Sequence, residues 1–347
     1  MEEHGGNPLA AARRLGRPPE EFLDFSASIN PLGLPRAARE ALRGSRAAAE
    51  RYPDPQYREL TAVLAAYLGV DPACLVVANG ASGALWNLLL ARRPEAVRIF
   101  RPAFSEYARG ARAAGAAVRE QDLETGLDVP PAAAASGELV FCNNPHNPSG
   151  AVWEADRLVP WAEAVCARGA VPVLDEAFVD FLPDPERFSL RRWVVARPGS
   201  VILGSLTKFF ALPGLRVGYL LAAPETAQEL REAAEPWRVN APAAAASREA
   251  LGDVAFIAAS RRLLPRWREE LRAKLQALPG VEVYPSQVNF LLLRLPRPGI
   301  SEALARRGIL VRDCANFPPL SPGHVRVAVR RPGENRRLIR ALEEVLR

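Results

Sequence analysis

Of the 45 basic residues in this sequence of 347, 43 are arginine and only Lys208 and Lys274 are lysine. A chain that uses arginine almost everywhere yet keeps a lysine in GSLTKFFALPGLRVGY invites a chemical reason. A guanidinium stays protonated and does not condense with aldehydes. An amine beside apolar groups and a second cation is pushed towards its neutral, nucleophilic form. Lys208 follows an apolar run, lies between hydroxyl side chains and phenylalanines, and precedes Arg216 by eight residues. Taken alone it could equally be a surface lysine, which is how Lys274 reads among Arg268, Glu269, Glu270 and Arg272.

Four further motifs bear on the same chemistry. VLDEAF places Asp175 at the end of an apolar run, where a buried carboxylate needs a cationic partner or a helix to cap. NGASGALW sets Gly80, Ala81, Ser82 and Gly83 between a strand and a helix start, a geometry in which backbone N–H groups cradle phosphate. It matches neither the P-loop nor the dinucleotide pattern. NNPHNPSG is a rigid polar turn from which Asn147 could donate a hydrogen bond. RPAF puts Phe104 just after a strand, where it could stack on a flat ring or simply join the core. Together these supply an amine for an aldehyde, a carboxylate for a protonated ring nitrogen, a stacking ring, a donor to a phenolic oxygen and a phosphate cradle. Pyridoxal 5'-phosphate needs all five.

These groups require elements that hold them. From about residue 56, amphipathic segments alternate with short apolar runs: helix YRELTAVLAAYLG, strand CLVVAN, helix SGALWNLLLARR, strand VRIF, helix EYARGARAAG and strand AAVREQ. Strand ELVFCNN, helix EADRLVPWAEAVCARG interrupted at Pro160, and strands VPVLDEAF, SVILGS and RVGYLLA follow. Such alternation predicts an α/β fold with a mostly parallel sheet covered by helices on both faces, and polar groups gathered beyond the carboxyl ends of its strands. After about residue 224 the pattern changes to helices followed by VEVY, NFLLLRL, ILVRD and HVRVAV and a last helix, which predicts a smaller α+β unit.

The formal charge of +6 comes from scattered arginines mixed with carboxylates, so a nucleic-acid surface is not indicated and small anionic substrates fit better. No apolar run reaches membrane-spanning length, and the N-terminus lacks the apolar core of a signal peptide. The four cysteines, Cys74, Cys142, Cys166 and Cys314, are widely spaced without CxxC or clustered histidines. No metal site is therefore expected, and a reducing cytoplasm is the default location.

In order and spacing the motifs resemble the fold-type I pyridoxal-phosphate enzymes of the aspartate aminotransferase superfamily, whose lysine signature SLTKFFALPGLRVGY is similar to. The resemblance implies a seven-stranded sheet in a large domain at residues 36–230, a small domain at 231–347 and an N-terminal arm at 1–35. It implies that Lys208 binds the cofactor aldehyde, and that Ser205, Thr207 and Arg216 surround its phosphate with Ala81 and Ser82. Asp175 would pair with the ring nitrogen, Asn147 with the phenolic oxygen, and Phe104 would stack. RYPDP resembles the segment that sends a tyrosine into a neighbouring subunit, which implies a homodimer with Tyr52 completing the partner's phosphate site.

Two groups within the superfamily compete. HGGN, LDFSASINPLG, ILVRDCANF and VRVAVR are similar to the threonine-phosphate decarboxylases of cobalamin biosynthesis, over residues 4 to about 338. Histidinol-phosphate aminotransferases instead carry tyrosine where DEAF has Phe178. One departure from the decarboxylase pattern is Ser28, where asparagine is usual. By this resemblance Arg326 binds the substrate α-carboxylate and Arg312 the substrate phosphate. His4, Gly5 and Ser28 line that pocket with Asn30 beside it, and Arg330 is a further candidate. The activity implied is decarboxylation of L-threonine O-3-phosphate, with histidinol-phosphate transamination as the rival. Regulators of this superfamily carry an added DNA-binding domain, and no helix-turn-helix extension is visible in this sequence.

Overall fold

The computed structural model describes residues 5–123 and 128–347. His4 lies outside the described residues. After β1 (Leu23–Asp24), seven strands build one sheet: β2 (Leu75–Ala78), β3 (Ala96–Arg101), β4 (Ala117–Asp122), β5 (Leu139–Asn143), β6 (Val171–Asp175), β7 (Val201–Ser205) and β8 (Gly218–Ala222). Their spatial order is β2-β8-β7-β6-β5-β3-β4, parallel throughout except for β8, which runs antiparallel to both neighbours. The apolar runs explain this placement: β2, β5, β7 and β8 are buried along their whole length, as a sheet covered on both faces requires. Within β2 the pleat sends Leu75 and Val77 into one core and Val76 and Ala78 into the core on the opposite face. The outer strand β4 is mostly exposed, and its Arg119, Glu120 and Asp122 form ion pairs with Glu138 and Arg101, which leaves a charged edge rather than an apolar one.

The remaining strands form two smaller sheets. β9 (Glu282–Val283), β10 (Phe290–Arg294), β12 (Arg312–Asp313) and β13 (His324–Ala328) make an antiparallel sheet in the order β12-β13-β10-β9, and β11 (Ile309–Leu310) pairs in parallel with β1. ILVRD, expected as one strand, is therefore two. Ile309–Leu310 pairs with the N-terminal segment, and past Val311 the chain turns to pair Arg312–Asp313 with β13. Phe25, Leu23, Leu291, Val325 and Leu338 share the core of this region, so the N-terminal segment is built into it.

Two local expectations change. Pro160 does not interrupt its helix, which runs unbroken over Ala155–Cys166 with the proline inside. Near the N-terminus a missing N–H costs a single intrahelical bond, and Leu158, Trp161, Ala162 and Val165 still reach the core. The helix Ala241–Leu251, which the sequence reading put with the 231–347 unit, sends Ala243, Ala246, Ala250 and Leu251 into the core of the large sheet. The long helix Val254–Gln276 passes from that core at Leu264 to the small-sheet core at Leu271 and Leu275. No described helix is long and apolar enough to cross a membrane.

Candidate active site

The carboxyl ends of β2, β3, β5, β6 and β7 converge on a cavity of about 350 Å³. Lys208, Asp175, Asn147, Phe104, Ala81, Ser82, Ser205, Thr207, Arg216, Arg312, Arg326, Gly5 and Ser28 all line it. Sequence reasoning had singled out each of them, although they come from segments more than 300 residues apart.

Lys208 lies on the one-turn helix Leu206–Phe209, directly after β7. Burial, followed by the charges of Arg326 and Arg216, pulls its amine down to about 8, while Asp175 opposes the shift. Asp175 ends β6 and is buried. Its Oδ1 accepts from the Ala177 N–H at 3.0 Å and its Oδ2 from the Tyr107 hydroxyl at 2.5 Å. Burial raises its pKa, and these two donors and the Lys208 charge work against that rise.

The polar turn after β5 is tied down residue by residue. Asn143 donates to the Asp175 carbonyl at 2.8 Å and accepts from the Asn147 N–H at 2.8 Å. Asn144 joins the Trp153 and Phe188 backbones. His146 is buried, with Nε2 at 2.9 Å from the Pro102 carbonyl, which can only accept, so Nε2 carries the proton and Nδ1 accepts from Ser149 at 2.7 Å. Desolvation holds this imidazole neutral, down to about 4. His146 thus pins the turn to the loop that carries Phe104. Arg326 donates to Asn147 Oδ1 at 2.5 Å. A guanidinium has no acceptor, so the Asn147 amide is oriented with oxygen towards Arg326 and Nδ2 remains as a donor.

One end of the cavity is formed where the helix Gly80–Arg92 begins. Ser205 and Thr207 hydroxyls lie 2.7 Å apart, and Arg216 projects from a left-handed backbone (φ 57°). Gly80 also has positive φ (69°), and a Cβ there would meet Arg216 Nη2 at 2.6 Å. At Gly218 a Cβ would sit 2.5 Å from the Gly80 carbonyl carbon and 2.7 Å from the Ala81 nitrogen. Two strand–helix backbones approach closely there, as an anion cradle of N–H groups requires.

At the other end Arg312 and Arg326 are register partners across β12 and β13. Both are buried and lie over the rings of Phe317 and Phe290 respectively. Burial, with Arg312 nearby, lowers Arg326 to about 10. Its Nη2 donates to the Ser26 carbonyl at 3.1 Å, and its Nε has no hydrogen-bond partner among the described residues, nor does the buried Ser28 hydroxyl. Each Nη bears a second hydrogen, so donors remain for an anion.

Three described candidates, Asn30, Arg330 and Tyr52, lie outside the lining. Asn30 spends its amide on the Phe209 carbonyl and Ser260 hydroxyl, both at 2.8 Å, and its N–H on the Lys208 carbonyl, so it braces the lysine loop. Arg330 lies one turn of chain beyond β13, where it pairs with Glu334 and donates to the Asp24 carbonyl. Tyr52 is 81% exposed against Trp237 and does not reach its own chain's cavity. Sequence reading missed Asn143, Tyr107 and Glu106. The cavity also takes Ser26, Ala177, Phe178 and Phe317 into its wall. Asn143 had a signal in the same NNPHNPSG turn, whereas Tyr107 read only as part of the helix EYARGARAAG.

A family model, aminotransferase class I and II, matches residues 20–342, and the chain belongs to that family. The fold and the lysine-centred cavity define the same class. Among its relatives, threonine-phosphate decarboxylase of Salmonella typhimurium (strain LT2) is 36% identical, over 99% of this chain and 96% of the relative. Histidinol-phosphate aminotransferase 1 of Cupriavidus pinatubonensis is 33% identical over 99% and 93%. The crystal structure of L-threonine-O-3-phosphate decarboxylase from Porphyromonas gingivalis superposes with a TM-score of 0.83 at 27% identity, covering 93% of this chain and 98% of that one. Pyridoxal phosphate is the cofactor of this class, and the lining fits it: a depressed lysine amine, a buried carboxylate, a fixed amide donor, an aromatic face and an N–H cradle stand around one cavity.

Proposed function

We propose that this chain is a pyridoxal-phosphate-dependent decarboxylase that converts L-threonine O-3-phosphate to (R)-1-amino-2-propanol O-2-phosphate and CO2, a step of cobalamin biosynthesis. The observation that carries the reading is the pair of buried arginines, Arg312 and Arg326, facing Lys208 across one cavity. A substrate with both a carboxylate and a phosphate finds a guanidinium for each. When bound, the cofactor supplies an aldehyde that captures the substrate amine and a cationic ring that accepts electron density as a bond to Cα breaks.

The chain's residues do the rest. Asp175 would keep a proton on the cofactor's ring nitrogen, Asn147 would donate to its phenolic oxygen, and Phe104 would offer it an aromatic face. Ser205, Thr207, Arg216 and the N–H groups of Ala81 and Ser82 hold the cofactor phosphate. Lys208, with a neutral fraction near pH 7, would hold the cofactor through its amine, and its Nζ would return a proton to substrate Cα. Arg312 grips the substrate phosphate remote from the reacting bond, and that binding energy fixes orientation. Gly5 and Ser28 line the same cavity. The protein acts as a cytoplasmic homodimer in which Tyr52 completes the partner's cofactor-phosphate site.

Histidinol-phosphate transamination is the second reading, favoured by relatives of comparable identity. It would have the same groups direct cleavage to the Cα–H bond rather than the Cα–carboxylate bond. Turnover of L-threonine O-3-phosphate assayed as CO2, beside histidinol phosphate with 2-oxoglutarate assayed as glutamate, separates the two. CO2 release with little glutamate is expected; abundant glutamate without CO2 reverses the assignment.

A further inference from the structure

The Tyr107 hydroxyl lies in the second layer of the cavity, where no role in the reaction above uses it. Its ring is 2% exposed, stacked on Phe141 at 4.7 Å and 17°, and set edge-on against Phe104 at 5.7 Å and 87°. The ring therefore has no freedom to turn its hydroxyl elsewhere, and that hydroxyl ends on Asp175 Oδ2 at 2.5 Å. Asp175 Oδ1 has its own donor in the Ala177 N–H. Each carboxylate oxygen is thus held by one donor, and Asp175 lines the cavity. The other titratable groups facing this pair are Lys208, after β7, and the Cys142 thiol of β5. Burial and the neighbouring carboxylate hold the phenol well above 10, so tyrosine is the donor in this bond.

We propose that Tyr107 is a positioning residue that fixes the orientation and lowers the proton affinity of Asp175, so that a proton shared with the cofactor ring stays on the ring nitrogen. The physical ground is that a donor to a carboxylate stabilises its ionised form. Without that donor, Asp175 in a dry site competes for the same proton and weakens the electron sink. The same ring also braces Phe104, so one side chain sets two of the groups that hold the cofactor. This inference rests on the pyridoxal-phosphate reading of the cavity.

Tyr107→Phe removes the hydroxyl and keeps the ring. In the full-length chain without cofactor, the Asp175 carboxyl, followed by carbon-13 resonance, is expected to titrate about tenfold less acidic in the variant. In the chain loaded with nitrogen-15 pyridoxal phosphate, the ring-nitrogen resonance is expected to move towards the unprotonated position. The value of kcat is expected to fall about tenfold with KM little changed. Incorporation of 3-fluorotyrosine at position 107, a stronger donor of nearly the same shape, is expected to move both resonances the opposite way, and it serves if Tyr107→Phe folds poorly. Unchanged Asp175 titration and ring-nitrogen resonance overturn the proposal even if activity drops. Should the chain refuse pyridoxal phosphate altogether, the cofactor reading fails, and the cofactor-free titration still decides whether Tyr107 governs Asp175.

Discussion

Lys208 is half-buried, yet desolvation and its position beside Arg216 and Arg326 set its basicity. Two cations and desolvation outweigh the one carboxylate, Asp175, and bring the amine to about 8 from 10.5. The sign of the stability consequence follows. A lysine whose folded pKa is depressed costs stability wherever it is charged when unfolded, and that cost fades as pH rises from 8 through 10.5. In the cofactor-free chain, Lys208→Met is expected to be more stable at pH 7 by about 2–3 kcal/mol, with the gap narrowing at pH 9 to 10 in urea denaturation. The same substitution is expected to lower kcat by about 10⁴-fold or more, because nucleophile and proton donor are lost together. At this scale the sequence was legible where chemistry restricts residue type. An amine among arginines and a carboxylate at a strand end stand out. Tyr107 does not, because a buried phenol and a core aromatic have the same signature until the hydroxyl's partner is known.

Elements translate that chemistry into position. Five strands release their functional residues at one edge of the sheet, so Lys208, Asp175 and Asn147 converge with no long-range signal beyond strand order. Strand ends, not strand period, separate the arginines. Arg326 lies inside β13, shares a face with His324 and Ala328, and meets Arg312 in register, whereas Arg330, four residues on and so in the same phase, lies past the strand end. The spacing alone made both candidates. The same holds for ILVRD, where five apolar and charged residues read as one strand and the pairing partners, not the pattern, divide it. Close backbone approach at the cradle gives an element-scale test. Gly80→Ala forces a Cβ against Arg216 at a positive φ, and is expected to weaken pyridoxal-phosphate binding about tenfold or more in a fluorescence titration while the chain stays folded.

For the whole molecule, the fold was legible in its alternation of helix and strand, and the division between its parts was not. Packing joins the helix Ala241–Leu251 to the large-sheet core and ties the N-terminal segment to the small sheet, so we place the change of core within the helix Val254–Gln276. Composition alone cannot report which side of a cavity a helix packs on. The exposed Tyr52 and Trp237 belong to the same scale, since a second copy, on the proposed homodimer reading, would cover this aromatic pair. Sedimentation is expected to give a dimer. Mixing Lys208→Ala with Tyr52→Ala chains, each impaired alone, is expected to restore about a quarter of full activity through hybrids with one intact site. No recovery after verified subunit exchange contradicts a shared site.

The assignment stands on a covalent link at one side chain, and borohydride reduction of the pyridoxal-phosphate-loaded chain followed by peptide mass mapping reads it directly. The expected result is a single pyridoxyl group on the peptide that contains Lys208. A chain left untagged, or tagged only at Lys274, contradicts the account.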